Sequence, residues 1–455
     1  MSGPASPLVR WLARTACWLF YRVDRVGAPP PAGALLLLPN HPNALLDPAV
    51  VWATAGRDVR FLAKSPLFEG RLRPLMRGAG AIPVYRRLDQ GADVAKNAET
   101  FAAVHEALAA GDAVCLFPEG VSHSAGRLVP LRTGAARMAL AAQQAGIRVA
   151  LVPVGLNFER KTVFRSRVTI VYGPAFTCAD LLGPGPESAP EAVRTLTGRM
   201  AEHIRALLVE ADPKGDAALV DRVDRFYGAA RGRPRDPSGR IARRRAIAAA
   251  VERLRAQDRQ RYDDVLLRFR RYDQRLRRFG IRDTHLDWNV SRADAVRFAA
   301  REALNALLLG PLALATIALF YLPYRLTATA ARWFTNEPDV AATAKVVAGA
   351  LLHLAWGAVL CTFTWWLAGA TTAAAAALLL PAIAVGGLFA IEREAAVVDA
   401  IRAWYLLRRA RQETRTRLRR YRSELADLLD EVNEWLAGTP GEAAAAAGSQ
   451  EERTV

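Results

Sequence analysis

The chain has 455 residues, with 62 basic against 44 acidic side chains and a formal charge of +18. This length exceeds one folding unit, and a hydrophobic content of 52% excludes a largely disordered chain. The four cysteines lie far apart and form no metal-binding spacing, so we expect neither a zinc site nor a disulfide scaffold. A mean hydropathy just above zero beside 23% charged residues indicates a charged part joined to an apolar part.

The first segment, residues 1–32, contains an apolar and aromatic stretch at 8–21 that Arg10 and Arg14 interrupt. This stretch is too short and too charged to cross a membrane, and we expect no signal peptide here. We predict an interfacial helix that lies on a membrane surface. Packing of the same helix against the next domain is the alternative.

Short apolar runs alternate with helical patterns over residues 33–186. Strands separated by helices predict an α/β domain with a mixed sheet flanked by helices. A Gly-Pro cluster at 183–186 marks its end. The predicted strands are 34–38, 59–63, 81–85, 113–117, 149–154 and 168–172, and the clearest predicted helices are 92–110 and 133–145.

Arginine-rich sequence follows in residues 187–301, where apolar residues recur at helical spacing and predict charged amphipathic helices. A second charged segment, 393–438, is predicted to be helical, and 439–455 to be a disordered tail. The predicted helices are 191–211, 241–255, 262–279 and 402–435, and a loop is predicted at 231–239.

Residues 302–392 are the apolar part of the chain. Uncharged runs at 303–324, 346–372 and 371–391 are each long enough to cross about 30 Å of hydrocarbon. A buried soluble hairpin is the alternative. Basic sequence on both sides favours an even number of crossings. We therefore predict two to three transmembrane helices. If the number of crossings is even, one of the three candidates is re-entrant, or the runs are divided into helices in another way.

The first motif is the sequence LLLPNHPNALLDP at 36–48. It ends an apolar strand and then presents Asn40, His41, Asn43 and Asp47. A histidine that acts as a general base needs a partner on one ring nitrogen, so that the other nitrogen can accept a proton. Asp47 can be that partner, with a substrate hydroxyl in place of an enzyme serine. The alternatives are an ordinary loop histidine and an Asp47 that caps a helix.

The second motif, LFPEGVSHS at 116–124, follows a predicted strand. Its Glu-Gly pair suits a turn that exposes backbone N–H groups, and such donors stabilise an oxyanion. A simple turn at the end of a strand is the alternative. Ser122 and His123 are not favoured as a nucleophilic pair, because no carboxylate in the sequence orients His123.

Basic residues directly follow two other predicted strands in the sequence. Arg86 and Arg87 follow strand 81–85 and suit bidentate binding of a phosphate. Lys64 follows strand 59–63 and has the same interpretation. Solvated charges at the ends of strands are the alternative.

Taken in order, these segments and the strand VALVPVGL at 149–156 resemble the PlsC-like glycerolipid acyltransferase family. That family carries a His–Asp block, a strand ending in Arg, an FPEG block and a VPV-type strand. The resemblance covers about residues 33–175. Five residues rather than the usual four separate His41 from Asp47, which is similar to the fungal-type glycerol-3-phosphate acyltransferase subgroup and its bacterial relatives, as is VAATAK at 340–345. We expect the extra residue to form a bulge that leaves the dyad intact.

The resemblance implies a role for each matching residue. His41 would take the proton from an acceptor hydroxyl, and Asp47 would orient His41. The hydroxyl would attack an acyl thioester directly, and backbone N–H groups would stabilise the oxyanion. Arg86 would bind the acceptor phosphate. The other predicted substrate-binding residues are Asn40, Asn43, Lys64, Phe117, Pro118, Glu119, Gly120 and Ser122.

The implied reaction acylates the sn-1 hydroxyl of glycerol 3-phosphate. Acylation of 1-acylglycerol 3-phosphate at sn-2, or of another lysophospholipid, is the alternative. Acyl-CoA or acyl-carrier protein would be the donor, and no metal or other cofactor is expected. Membrane lipids are expected partners, because the positive charge attracts anionic headgroups and phosphates. The Ala- and Arg-rich composition favours a bacterial cytoplasmic membrane, with a multi-pass anchor and the catalytic domain on the cytoplasmic side.

Other classes of protein fit the sequence less well. Nucleic-acid binding would use the arginines of 222–282, but these lie on amphipathic helices without interleaved aromatic residues. A serine hydrolase would need a GxSxG-type turn, which is absent. A catalytically silent membrane adaptor would be indicated by loss of His41 or Asp47, and both are present.

Overall fold

The chain folds into two compact units in the computed structural model. Unit 1 comprises residues 1–217, 234–245 and 328–348, and unit 2 comprises 218–233, 246–327 and 349–455. The structure describes residues 6–69, 73–85, 96–182, 189–212, 215–230, 232, 236–278, 282–283, 286, 292–335, 337–409 and 412–438.

Unit 1 is built on a mixed sheet, which confirms the predicted α/β fold. Over the described residues the strand order is β1-β7-β6-β2-β5-β3-β4, and β6 and β7 form its antiparallel pair while the other neighbours are parallel. The strands are β1 (Tyr21–Val26), β2 (Leu35–Pro39), β3 (Val59–Lys64), β4 (Ile82–Val84), β5 (Ala113–Cys115), β6 (Ala150–Phe158) and β7 (Ser166–Tyr172).

The central strand β2 explains where the core lies. All five of its residues are buried, as expected for a parallel strand that is covered on both faces. Side chains alternate between the faces of a strand. Leu35 and Leu37 therefore join one apolar cluster, and Leu36 and Leu38 join another on the opposite face.

Helices cover both faces of this sheet. Cys17 of α1 and Val50 of α2 belong to the cluster that contains Leu35 and Leu37. The helices α4, α5 and α6 contribute to the cluster on the other face. The helices are α1 (Pro7–Phe20), α2 (Leu46–Thr54), α3 (Arg73–Gly78), α4 (Asn97–Ala109), α5 (Gly134–Gln144) and α6 (Ala189–Arg205).

The strand β1 and the helix α2 are among the elements of unit 1 that were not predicted. The strand β1 follows α1 directly. Its charged residues Arg22, Asp24 and Arg25 interrupt the apolar pattern from which a strand would be predicted. It is an edge strand and needs only one apolar face. The helix α2 begins inside the first motif, where the pattern indicated a loop.

Long helices make up most of the other described residues, in agreement with the predicted helical region and apolar part. Within the described residues, three helices are long and apolar enough to cross a membrane: Ala300–Phe334, Ala341–Ala368 and Ala370–Arg393. The helices are α7 (Asp216–Ala230), α8 (Pro237–Gln257), α9 (Arg259–Arg278), α10 (Arg292–Phe334), α11 (Ala341–Ala368), α12 (Ala370–Arg409) and α13 (Gln412–Gly438).

Local backbone features set the ends of helices in this region. The loop expected at 231–239 ends earlier, because α8 starts at Pro237. The Asp236 carboxylate accepts hydrogen bonds from Ser238 Oγ and from the Gly239 N–H, both at 2.6 Å, and so caps this helix. Gly369 separates the second apolar run from the third, because it adopts a positive φ of 84° between α11 and α12.

Candidate active site

The site lies at one edge of the unit 1 sheet. The strands β2, β5 and β6 are parallel, with β2 between the other two, so their carboxyl ends meet at the same edge. The loop with His41 follows β2, the FPEG loop follows β5, and Lys161 comes three residues after β6. In open α/β sheets, ligands bind outside the carboxyl ends of the strands.

His41 and Asp47 form the predicted pair. His41 Nδ1 and Asp47 Oδ2 are 2.8 Å apart, and the Asn43 N–H donates to the same oxygen at 2.7 Å. Burial raises the pKa of Asp47, while its hydrogen bonds and the nearby charge of Lys161 oppose that rise. Among the described residues nothing bonds to His41 Nε2. That nitrogen is therefore the one placed to accept a proton from a bound hydroxyl.

The backbone between His41 and Asp47 contains a residue with a positive φ. Ala44 has a φ of 40°, and only one other described non-glycine residue, Arg165, has a positive φ. This left-handed conformation bends the loop between the two residues of the pair, and it costs about 1 kcal/mol for an alanine. The contact between His41 and Asp47 is intact despite the longer spacing.

The FPEG loop is attached directly to His41. The Phe117 ring stacks on the imidazole, with centroids 4.0 Å apart and an angle of 19° between the planes. Glu119 is buried, and its carboxylate accepts hydrogen bonds from the N–H groups of His41 at 2.7 Å and Val129 at 3.0 Å. Gly120 has a φ of 76°, which favours glycine in this turn. Glu119 thus links the two motif loops.

The structure corrects the interpretation of His123. A carboxylate does orient this ring, because Glu119 Oε2 bonds to His123 Nε2. The two residues are four positions apart in an irregular loop, a spacing that carries no signal outside a helix. Ser122 does not pair with His123, since its hydroxyl donates to Asp339. This arrangement is not that of a serine nucleophile with its base.

Asn40 and Asn43 both hold the first motif loop in place. The Asn40 amide accepts from the Leu156 N–H at 2.7 Å and donates to the Leu156 carbonyl oxygen at 3.2 Å. Asn43 is fully buried, and its Nδ2 donates to the Tyr21 hydroxyl at 2.7 Å. Contact of either residue with a substrate stays a prediction.

Lys64 and Pro118 lie at the carboxyl ends of β3 and β5. Lys64 is exposed at the end of β3, paired in register with Val84 of β4. Pro118 is buried, and its carbonyl oxygen accepts from the Arg132 N–H at 2.7 Å. Arg86 lies outside the described residues. The roles of Lys64, Pro118 and Arg86 toward a substrate stay predictions.

Sequence reasoning missed two charged residues of this edge. Lys161 Nζ donates to the Pro42 carbonyl oxygen at 2.7 Å and to Ser124 Oγ at 2.6 Å. Asp339 accepts from Ser122, although 217 positions separate the two. Lys161 lies in an ordinary connection between β6 and β7, and no local pattern marks it. The VAATAK resemblance beside Asp339 was the one available signal.

Comparisons with known proteins agree with this geometry. Residues 8–157 match the family model described as Acyltransferase. The chain is 31% identical over 134 residues to glycerol-3-phosphate O-acyltransferase 2 of Saccharomyces cerevisiae, and 30% identical over 129 residues to glycerol-3-phosphate O-acyltransferase 1 of the same yeast. These matches cover 29% and 27% of this chain. They span only 18% and 17% of the length of the relatives.

A solved structure was also matched, the 1-acyl-sn-glycerophosphate acyltransferase PlsC of Thermotoga maritima. The TM-score is 0.32, and the identity is 17%. The match covers 44% of this chain and 79% of the other chain.

A histidine–aspartate pair at the carboxyl edge of a mixed sheet, linked to an FPEG loop, defines an acyltransferase domain. The yeast matches are to proteins named as glycerol-3-phosphate acyltransferases. Residues 8–157 therefore carry an acyltransferase domain, in agreement with the resemblance of its motifs to the PlsC-like glycerolipid acyltransferases.

Proposed function

We propose that this protein moves a fatty acyl group from acyl-CoA or acyl-carrier protein to the sn-1 hydroxyl of glycerol 3-phosphate. The product would be lysophosphatidic acid, which enters phospholipid synthesis. The observation that carries this proposal is the 2.8 Å contact between His41 and Asp47, with His41 Nε2 left for a substrate. The two yeast relatives are named as glycerol-3-phosphate acyltransferases, which supports glycerol 3-phosphate as the acceptor.

The proposed reaction follows from the position of His41. Its Nε2 takes the proton of the acceptor hydroxyl while the hydroxyl oxygen attacks the thioester carbonyl carbon. Asp47 stabilises the imidazolium that forms. Backbone N–H groups of the two loops stabilise the oxyanion. When the intermediate collapses, the carbon–sulfur bond breaks and the imidazolium proton passes to the leaving thiolate. The products are an ester and a free thiol.

Basic residues at the sheet edge are proposed to bind the acceptor phosphate. Lys64 is exposed at the carboxyl end of β3, and in the sequence Arg86 comes two residues after the neighbouring strand β4. An exposed lysine and an arginine that follow adjacent parallel strands suit a dianionic phosphate.

Membrane attachment is proposed to bring the acyl product to the lipid phase. The three apolar helices indicate membrane association. The helix α1 adds exposed apolar side chains, among them Trp11 and Trp18, each at least half exposed. We propose a bacterial cytoplasmic membrane with unit 1 on the cytoplasmic side, where the acyl donors are found. Membrane lipids are then the immediate partners.

The test is transfer of a labelled acyl group by membranes that contain the full chain. Glycerol 3-phosphate and its 1-acyl derivative are offered in parallel, with acyl-CoA and acyl-carrier protein as donors. We expect transfer to glycerol 3-phosphate that is lost in His41→Ala. Transfer only to the 1-acyl derivative would contradict the proposed acceptor. No transfer with any pair would contradict the activity and favour an adaptor.

A further inference from the structure

A segment far along the chain, residues 339–348, completes the edge of unit 1 that carries the active site. We name it the α11 entry segment, because it leads into α11 and includes its first two turns. Ala342 is fully buried in the cluster that contains Leu35 and Leu37. Lys345 Nζ donates to the Thr162 carbonyl oxygen at 2.7 Å. The segment is therefore packed into the core of unit 1 and bonded next to Lys161.

The first residue of this segment contacts the second motif loop. The Asp339 carboxylate accepts a hydrogen bond from Ser122 Oγ. His123, the residue after Ser122, donates its backbone N–H to the His41 carbonyl oxygen at 3.1 Å. One residue thus separates the Asp339 contact from the backbone of the proposed base.

Lys161 holds the same loop from another direction. Its Nζ contacts Ser124 Oγ at 2.6 Å and the His123 carbonyl oxygen at 3.4 Å, and it also reaches Pro42 beside His41. Burial lowers the pKa of Lys161, while the carboxylates of Asp339 and Asp47 favour its charged form. The loop is therefore fixed between a cation and an anion that come from distant parts of the chain.

We propose that Asp339 is a positioning residue of the acyl transfer: through Ser122 it holds the second motif loop against His41, and Lys161 holds the other side of that loop. This proposal rests on the proposed function. A hydrogen bond to a charged acceptor is about twice as strong as a neutral one, which suits a contact that restrains a loop. A shift of about 1 Å in a reacting group lowers a rate by about 100-fold.

The experiment compares Asp339→Ala, Ser122→Ala and the double variant in the full chain. The matched control is Glu337→Ala, which removes an exposed carboxylate two positions upstream. We expect kcat to fall at least about 10-fold in each single variant, with KM and Tm close to wild type. The double variant should be no slower than either single variant, because both remove the same contact. Lys161→Met should also lower kcat, and Lys161→Arg should restore part of it.

Amide hydrogen exchange over residues 119–126 gives a second readout that does not need turnover. Exchange at His123 should be faster in Asp339→Ala than in Glu337→Ala. If the wild type transfers acyl groups but Asp339→Ala and Ser122→Ala keep kcat within 2-fold of the control, the inference is overturned. If Asp339→Ala does not fold, Ser122→Ala decides by the same criterion.

An inactive wild type would reject the proposed function rather than the contact. In that case the exchange measurement decides alone. Faster exchange in Asp339→Ala would show that Asp339 holds the loop. Exchange equal to the control would overturn that role.

Discussion

The sheet of unit 1 and the apolar helices of unit 2 use the same residue types in opposite ways. The leucines of β2 are fully buried, whereas Leu354 of α11 is 72% exposed and Leu378 of α12 is 79% exposed. In unit 1, apolar side chains exclude water from a core. In unit 2 they face outward, as expected for helices whose solvent is lipid. The catalytic contacts depend on the first kind of burial, and membrane association depends on the second kind of exposure.

The largest expected effect on kcat comes from substituting the proposed catalytic residues of unit 1. These substitutions leave the buried apolar core of unit 1 and the exposed apolar helices of unit 2 unchanged. His41→Ala should lower kcat by about 10² to 10⁴-fold, the usual contribution of a general base. Asp47→Asn should also lower kcat, because the amide does not stabilise a charged imidazole. The measurement is acyl transfer at saturating glycerol 3-phosphate. Tm values near wild type would show that the fold is kept, and an active His41→Ala would reject the proposed base.

The reactivity of the buried thiols of unit 1 measures how completely the core excludes water. Burial raises the pKa of the Cys17 thiol to about 12 and that of Cys115 well above its usual value. A raised thiol pKa means that the reactive thiolate appears only at higher pH. At pH 8, iodoacetamide should label Cys17 at least about 10³-fold more slowly than in the unfolded chain. Mass spectrometry of labelled peptides measures this. Rapid labelling with retained acyl transfer would contradict the described core.

A paired substitution compares the two units directly. Leu37→Ala removes a fully buried side chain and should lower the free energy of unfolding of unit 1 by about 2–5 kcal/mol. Leu354→Ala removes a side chain that contacts no core and should cost about 0.5 kcal/mol. Thermal unfolding in detergent gives both values. Equal losses would mean that Leu354 packs against protein in the membrane.

The sequence predicts the parts of this molecule that repeat a local pattern. The strands β2, β3, β6 and β7 and the three apolar helices follow mostly apolar stretches, and each of them overlaps the range predicted for it. The pairing of His41 with Asp47 also follows from a short spacing. The edge strand β1 was missed, because its exposed face carries charges that break the apolar pattern.

The parts that could not be predicted depend on contacts between distant residues. Nothing near Lys161 marks it as a link between two loops, and only the folded sheet brings it to Pro42 and Ser124. The Asp339 contact with Ser122 joins the beginning of an apolar helix to a motif 217 positions earlier. No periodicity encodes such a pairing. Glu119 shows the same limit, since its motif was visible but its bonds to the His41 backbone were not.

The smallest expected effect concerns Ala44, where the first motif loop is strained. Replacing Ala44 by glycine removes the clash of a Cβ at positive φ but adds freedom to the unfolded chain. The net result should be a gain of up to about 1 kcal/mol in stability, with kcat unchanged because the contact of His41 with Asp47 does not involve Ala44. Ala49→Gly, inside the neighbouring helix α2, is the matched control and should destabilise by about 1 kcal/mol. If Ala44→Gly destabilised the protein as much as Ala49→Gly does, the left-handed bend would not be the conformation that absorbs the extra residue. The long spacing would then require a different loop path between base and carboxylate.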